Sequence, residues 1–253
     1  MTALLDGLRL GLRSARVTAH TLHHLARIEL DRALDGDSYA ARDARVRRWA
    51  GDALASAGVE VVVDPSGPVL GPAPTGGRLL VANHRSMLDV LVILSRFGGH
   101  MLSRGDLAQW PVFGRLAAVG ETLYVDRSNP TSGASSIREL ARQLSLGRTV
   151  TVFAEGTTHP DDVVRPFHPG AFVAALGAGA EVVPLGLAYA EPHAVFFEET
   201  FGAHLTRVMT APKTRVALCV GPSVDPHGLN AKRLAEATRT AVQAAVDHAR
   251  RSL

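Results

Sequence analysis

The chain has 253 residues, 46% of them hydrophobic and 20% charged, a balance that supports a sizeable core and excludes global disorder. Its single cysteine, Cys219, excludes an intramolecular disulfide framework and any cysteine-based zinc cluster, and fits a reducing compartment. The formal charge is +3 and the sequence pI is about 9.5, with arginine supplying nearly all of the basic residues. Arginine pairs bidentately with phosphate and carboxylate, so this charge suits nucleic acid, an anionic membrane or a phosphorylated substrate without choosing among them.

No uncharged apolar run approaches the roughly 18 residues that span a bilayer. The N-terminal stretch does not read as a secretion signal, because arginines interrupt its apolar segment. Residues 3–33 are predicted helical: Leu4, Leu5, Leu8, Leu12, Ala15, Ala19, Leu22 and Ala26 recur at helical spacing, with Arg9, Arg13, Arg16 and Arg27 beside or opposite them. The stripe has two readings, a helix docked on the core or an interfacial helix lying on an anionic membrane. His20, His23 and His24 are expected on a solvated face rather than at a metal, since no carboxylate pattern lies nearby in sequence. A second helix is predicted over 38–57, with Arg42, Arg45, Arg47 and Arg48 solvated.

After Gly58 the pattern changes. Strands are predicted at 59–63, 78–82, 121–125, 148–153, 181–190 and 215–221. Helices are predicted at about 86–96, 137–146, 170–179 and 230–251. The second of these opens with Ser136-x-x-Glu139, a capping-box pattern. In the last, Leu234, Ala237, Ala241, Val242 and Ala245 share a face. Strands alternating with helices imply an α/β fold with a mostly parallel sheet flanked by helices, so the chain divides into N-terminal amphipathic helices (1–57) and an α/β domain (58–253). Ligands of such sheets collect beyond the strand ends.

The stretch "NHRSMLD" (83–89) follows the buried-strand pattern "RLLVA". If Ser86 caps the next helix, Asp89 is its third residue, and Ser86-x-x-Asp89 is a cap stabilising the helix end by ~0.3–1 kcal/mol. The same spacing lets Asp89 reach one imidazole nitrogen of His84, fix its tautomer and leave the other nitrogen free as a base. By itself the stretch fits either role. Two further apolar strands end in polar residues, "GETLYVDR" (120–127) in Asp126-Arg127 and "VFAEGTT" (152–158) in Glu155-Gly156-Thr157. "PFHPGAF" (166–172) and "VVPLG" (182–186) follow.

Together these blocks resemble the glycerolipid acyltransferase family typified by bacterial lysophosphatidic acid acyltransferase. The matching blocks, in order, are His84-x4-Asp89, Gly120 to Arg127, Phe153-Ala154-Glu155-Gly156-Thr157 and Val183-Pro184. The resemblance covers about residues 78–190. It implies that His84 is the base that deprotonates an acceptor hydroxyl and that Asp89 orients it. Arg127 would bind the acceptor's phosphate or other anionic head group, and Glu155, Gly156 and Thr157 would shape the acceptor site. The donor would be acyl-CoA or acyl-carrier protein, with no other cofactor, no metal and no covalent acyl-enzyme. Imidazole, with a reference pKa of about 6.5, can accept a proton at neutral pH, and such catalysis contributes roughly 10²–10⁴-fold.

The chain departs from the family at Ala154, where proline is usual, at Thr158, where arginine is frequent, and at His168, where a basic residue is common. Two phosphate contacts are thereby lost or weakened. The implied reaction is acylation of 1-acyl-glycerol-3-phosphate in phospholipid biosynthesis. The alternative is O-acylation of lyso-ornithine lipid or another non-phosphate lyso-lipid, whose branch the segment from Glu155 to Phe172 resembles. The implied placement is peripheral, at the cytoplasmic membrane face. Leu, Val and Phe residues near 88–97 and 110–117 read as core or as acyl-groove lining. A non-catalytic lipid-binding protein and a basic nucleic-acid-binding protein are the readings from other classes. Aromatic content of 5% disfavours the second. No G-x-S-x-G, P-loop or H-E-x-x-H motif occurs, and Gly177-Ala-Gly179 lacks the third glycine of a dinucleotide loop.

Overall fold

A computed structural model of the chain describes residues 2–36, 38–104, 123–125 and 130–253. Two helices come first, α1 (Thr2–Asp35) and α2 (Tyr39–Ser56). Strands β1 (Val59–Val63) and β2 (Arg78–Ala82) lead to α3 (Leu88–Phe97), β3 (His100–Arg104) and β4 (Leu123–Val125). Then come α4 (Pro130–Ser145), β5 (Thr149–Val152), α5 (Gly170–Ala178) and β6 (Glu181–Tyr189). A 3₁₀ turn (Pro192–Ala194), α6 (Phe201–Thr210), β7 (Thr214–Val220) and α7 (Ala231–Arg251) complete the chain.

The described strands form one sheet in the order β1-β7-β6-β2-β5-β3-β4. Every neighbouring pair is parallel except β6 with β7. Strand β2 lies inside the sheet with all five residues buried, which explains its unbroken apolar run: helices cover both faces, so no alternation is needed. One core face joins β2, β6 and β7 to α3 and α6 through Leu80, Val92, Ile93, Leu187 and Val208. The other joins β2 and β5 to α4, α5 and α7 through Leu79, Leu140, Val150, Phe172 and Val242. Helix α7 comes so close to β6 that a Cβ at Gly186 would meet the Ala245 backbone at 2.1 Å, so only glycine fits there.

Sequence and structure differ at several points. The α1 leucine stripe does not dock: Leu4, Leu5, Leu8, Leu12 and Leu22 are all exposed, Leu4 at 69%. The helix docks by another face, through Thr21, His24 and Ile28, with Val17 partly buried. Arg13 donates to the carbonyls of Met209, Ala211 and Pro212 at 3.1, 2.6 and 3.0 Å, which ties α1 to the end of α6, and Arg45, expected solvated, pairs instead with Asp31 at 2.7 Å. Helix α4 starts at Pro130, seven residues before the predicted start, because proline is preorganised for a first turn. Ser136 is therefore inside α4, and Glu139 pairs with Arg142 at 2.7 Å instead of closing a capping box. Strand β3 and helix α6 had no predicted counterpart. In α3, Leu88, Val92, Ile93 and Leu94 are core; residues 110–117 lie outside the described residues.

Candidate active site

Strands β5, β2 and β6 lie side by side and run the same way, so their carboxyl-end loops meet. His84 is two residues beyond β2, and Glu155 three beyond β5. The register Val81 to Val152 brings the two loops together. Glu155 Oε1 accepts from the His84 amide at 2.9 Å, and Oε2 accepts from the Arg165 amide at 2.9 Å. Oε1 thus joins the two loops, while Oε2 braces the loop that carries Glu155 itself. Burial raises its carboxyl pKa above the usual range, against the opposing pull of the two amides. The turn after it needs Gly156, whose φ is +85°. Thr157 is exposed, and Arg127 lies outside the described residues.

His84 Nδ1 lies 2.9 Å from Asp89 Oδ2. The same oxygen accepts from the Arg85 amide at 2.7 Å and the Ser86 amide at 2.9 Å, while Oδ1 accepts from the Tyr189 hydroxyl at 2.5 Å. Asp89, fully buried in the first turn of α3, therefore closes the loop as a cap and holds the histidine with the same carboxylate. Ser86 is not the N-cap, which is Met87; its hydroxyl accepts from the Leu88 amide at 3.2 Å. Burial, reinforced by Asp89, holds the Tyr189 phenol well above its usual range, so it remains a donor. The His84 ring stacks on Phe153 with centroids 4.0 Å apart and planes 11° from parallel. Its Nε2 has no hydrogen bond among the described residues, and the side chain is 20% exposed. One ring nitrogen is fixed and the other is open to a ligand.

Several supporting residues carried no local sequence signal. Asn83 exchanges two hydrogen bonds with Leu187 of β6, at 3.0 and 2.8 Å. Ser86 Oγ lies 3.1 Å from His204 Nε2, and His204 Nδ1 lies 3.2 Å from Glu199, which Arg207 also pairs. His204 is fully buried, which lowers its pKa, with Arg207 acting in the same direction and Glu199 opposing. Buried Arg85 pairs with Asp162 and donates to the Pro160 carbonyl. Arg250 binds Asp162 at 2.8 and 3.1 Å and the Tyr189 carbonyl at 2.6 Å. These ties pin the loop after Glu155 beside His84. Tyr189 had the one readable cue, a polar tip at the end of an apolar strand.

His24 corrects the expectation of a solvated histidine face. It is buried, and its carboxylate partner comes from the next helix: Nε2 lies 2.7 Å from Asp52 Oδ2. Sequence spacing could not show a partner 28 residues away.

A buried carboxylate holding one ring nitrogen of an accessible imidazole, at the carboxyl end of a central parallel strand of an α/β fold, is an arrangement able to do acid–base chemistry. A model of the Acyltransferase family matches residues 68–188, the segment that contains His84, Asp89, Glu155 and β6. The lyso-ornithine lipid O-acyltransferase of Pseudomonas aeruginosa is 31% identical over 249 residues, which cover 94% of each chain. The chain belongs to this acyltransferase family and is a glycerolipid O-acyltransferase. The 1-acyl-sn-glycerol-3-phosphate acyltransferase of Neisseria gonorrhoeae is 27% identical over 158 residues, covering 62% of this chain and 60% of that one. The crystal structure of the 1-acyl-sn-glycerophosphate (LPA) acyltransferase PlsC from Thermotoga maritima has the same fold, with a TM-score of 0.75 at 20% identity over 98% of this chain and 97% of that one.

Proposed function

We propose that the protein transfers a fatty acyl group from acyl-CoA or acyl-carrier protein to the hydroxyl of a lyso-lipid, with His84 as the base. The supporting observation is the His84–Asp89 contact at 2.9 Å, with both Asp89 oxygens engaged by protein donors. His84 Nε2 takes the acceptor hydroxyl proton as its oxygen attacks the thioester carbonyl. The tetrahedral intermediate collapses, the thiolate leaves, and the imidazolium returns the proton to it. Asp89 keeps the remaining ring proton on Nδ1 and stabilises the transient imidazolium. Stacking on Phe153 limits rotation of the ring out of this pose.

The acceptor is read as a lyso-ornithine-type lipid. The relative so named aligns over nearly the whole chain, and the departures Thr158 and His168 reduce the phosphate contacts. The reading with 1-acyl-glycerol-3-phosphate rests on the relatives named for that substrate and on Arg127. Residues 1–57 are read as the segment that seats the enzyme peripherally on the cytoplasmic membrane face, with 58–253 as the catalytic domain. Exposed Leu4, Leu5, Leu8 and Leu12 beside Arg9 and exposed Arg16 support that reading. No described helix is long and apolar enough to cross a membrane. Acceptor chains stay in the bilayer, since burial is worth roughly 0.8 kcal/mol per CH₂.

The test is acyl transfer from both donors to a panel of lyso-lipids. Expected is activity on lyso-ornithine lipid, lost in His84→Ala. Equal activity in His84→Ala would sink the mechanism. Acylation of lysophosphatidic acid alone would move the acceptor to the second reading. Lipid binding with no turnover on any acceptor would favour a non-catalytic role.

A further inference from the structure

Helices α1 and α2 form an antiparallel hairpin with a readable register: Asp31 pairs Arg45 at 2.7 Å, His24 meets Asp52 at 2.7 Å, and Thr21 accepts from Trp49 Nε1 at 3.0 Å. His20 lies one helical turn before His24, on the same face. Its Nδ1 is 3.8 Å from the same Asp52 Oδ2 that His24 contacts. Two imidazoles therefore converge on one carboxylate oxygen, only one of them within hydrogen-bond distance. One ligand atom from each of the three residues falls within 4.8 Å of the others.

We propose that His20, His24 and Asp52 form a site for a divalent transition-metal ion of the zinc type, which clips α1 to α2. Metal–ligand bonds of about 2.0–2.1 Å in a tetrahedron set ligand atoms roughly 3.3 Å apart. The observed 2.7 and 3.8 Å bracket that spacing, so small side-chain rotations complete the site. Two neutral imidazoles and a carboxylate are the donor set zinc accepts, with a fourth position left for water. Burial follows the same division: the His24 side chain is 5% exposed, whereas His20 and Asp52 are 44% and 46% exposed, so one ligand is preset and the open side admits the ion.

The surface cleft at this site also takes in His23, Arg45 and Arg48. Arg45 is engaged by Asp31, and Arg48 is exposed, one turn before Asp52. The Arg48 charge weakens cation binding and gives the proposal a second handle. The role is structural: the clip joins the helix bearing the exposed leucines to α2, which packs on α3 through Val46, Trp49 and Leu94.

The experiment is calorimetric titration of the chelator-stripped full chain with zinc chloride, with cobalt(II) as a spectroscopic probe. Wild type is expected to bind one zinc per chain, to show the visible absorption of four-coordinate cobalt, and to melt at a higher temperature with zinc. His20→Ala and Asp52→Asn, both at half-exposed positions, should lose roughly tenfold or more in affinity. Arg48→Ala should bind more tightly. With 11 histidines in the chain, adventitious binding is the competing outcome. No binding by wild type at micromolar zinc, or one affinity shared by wild type and all three variants, overturns the site.

Discussion

The pairs His84–Asp89 and His24–Asp52 differ in which partner is buried. In His84–Asp89 the carboxylate is fully buried and the imidazole is partly open. In His24–Asp52 the imidazole is buried and the carboxylate is half exposed. Both contacts are short, 2.9 and 2.7 Å, so distance alone does not distinguish them. What differs is the rest of each carboxylate. Asp89 accepts from two backbone amides and a tyrosine, and it cannot move without unmaking the start of α3. That rigidity suits acid–base work, in which the base must hold one tautomer and one direction. Asp52 is half exposed, with a second imidazole 3.8 Å away, an arrangement that can still rearrange around an ion.

The contrast breaks most visibly at Asp89. Asp89→Asn can no longer fix the His84 tautomer, and turnover should fall on the order of 10²–10⁴-fold with lyso-lipid KM little changed. An Asp89→Asn enzyme with wild-type kcat would place Asp89 among helix caps only. A smaller effect is expected of Tyr189→Phe, which strips the donor from Asp89 Oδ1. Hydrogen bonds to charged groups are worth ~1.5–3 kcal/mol, so its melting temperature should drop. If the phenol also positions the pair, kcat should fall about tenfold, equivalent to ~1.4 kcal/mol. A melting shift with unchanged kcat would reduce Tyr189 to packing.

The smallest effect is on pH dependence. Burial holds the His204 imidazole below its ordinary value, so the unfolded chain binds a proton that the folded one resists. Stability should be unaffected at neutral pH and decline as pH falls below about 6.5 toward the folded value, at up to about 1.4 kcal/mol per pH unit for one group. His193 is shifted the same way, also by burial first. Comparing melting curves of wild type and His204→Gln across this window isolates the His204 share. An identical slope in both would show that His204 does not carry it.

Local pattern was most legible where a residue's partners are near in sequence. His84, Asp89 and the strand before them were readable because a helix start and a five-residue spacing lie within one stretch. The α1 helix was readable too, but its docking face was not. Its leucines outline a clean stripe, yet the contacts that seat it, Arg13 to the end of α6 and His24 to Asp52, reach across 196 to 199 and 28 residues. Apolar spacing tells that a helix has a greasy side, not what that side meets. Helix α4 shows the converse error: a plausible capping box at Ser136 masked a start that Pro130 had already set.

The sequence by itself determined the alternation of strands and helices, the all-buried β2, the His84–Asp89 spacing and the blocks that resemble the family, because each depends on residues a few positions apart. Tertiary structure alone decided that Glu155 joins two loops, that Tyr189 completes the Asp89 shell, and that His24 is buried against Asp52. Those pairings are set by parallel strand register and by the closure of the α1–α2 hairpin, which bring together residues 28 to 100 positions apart.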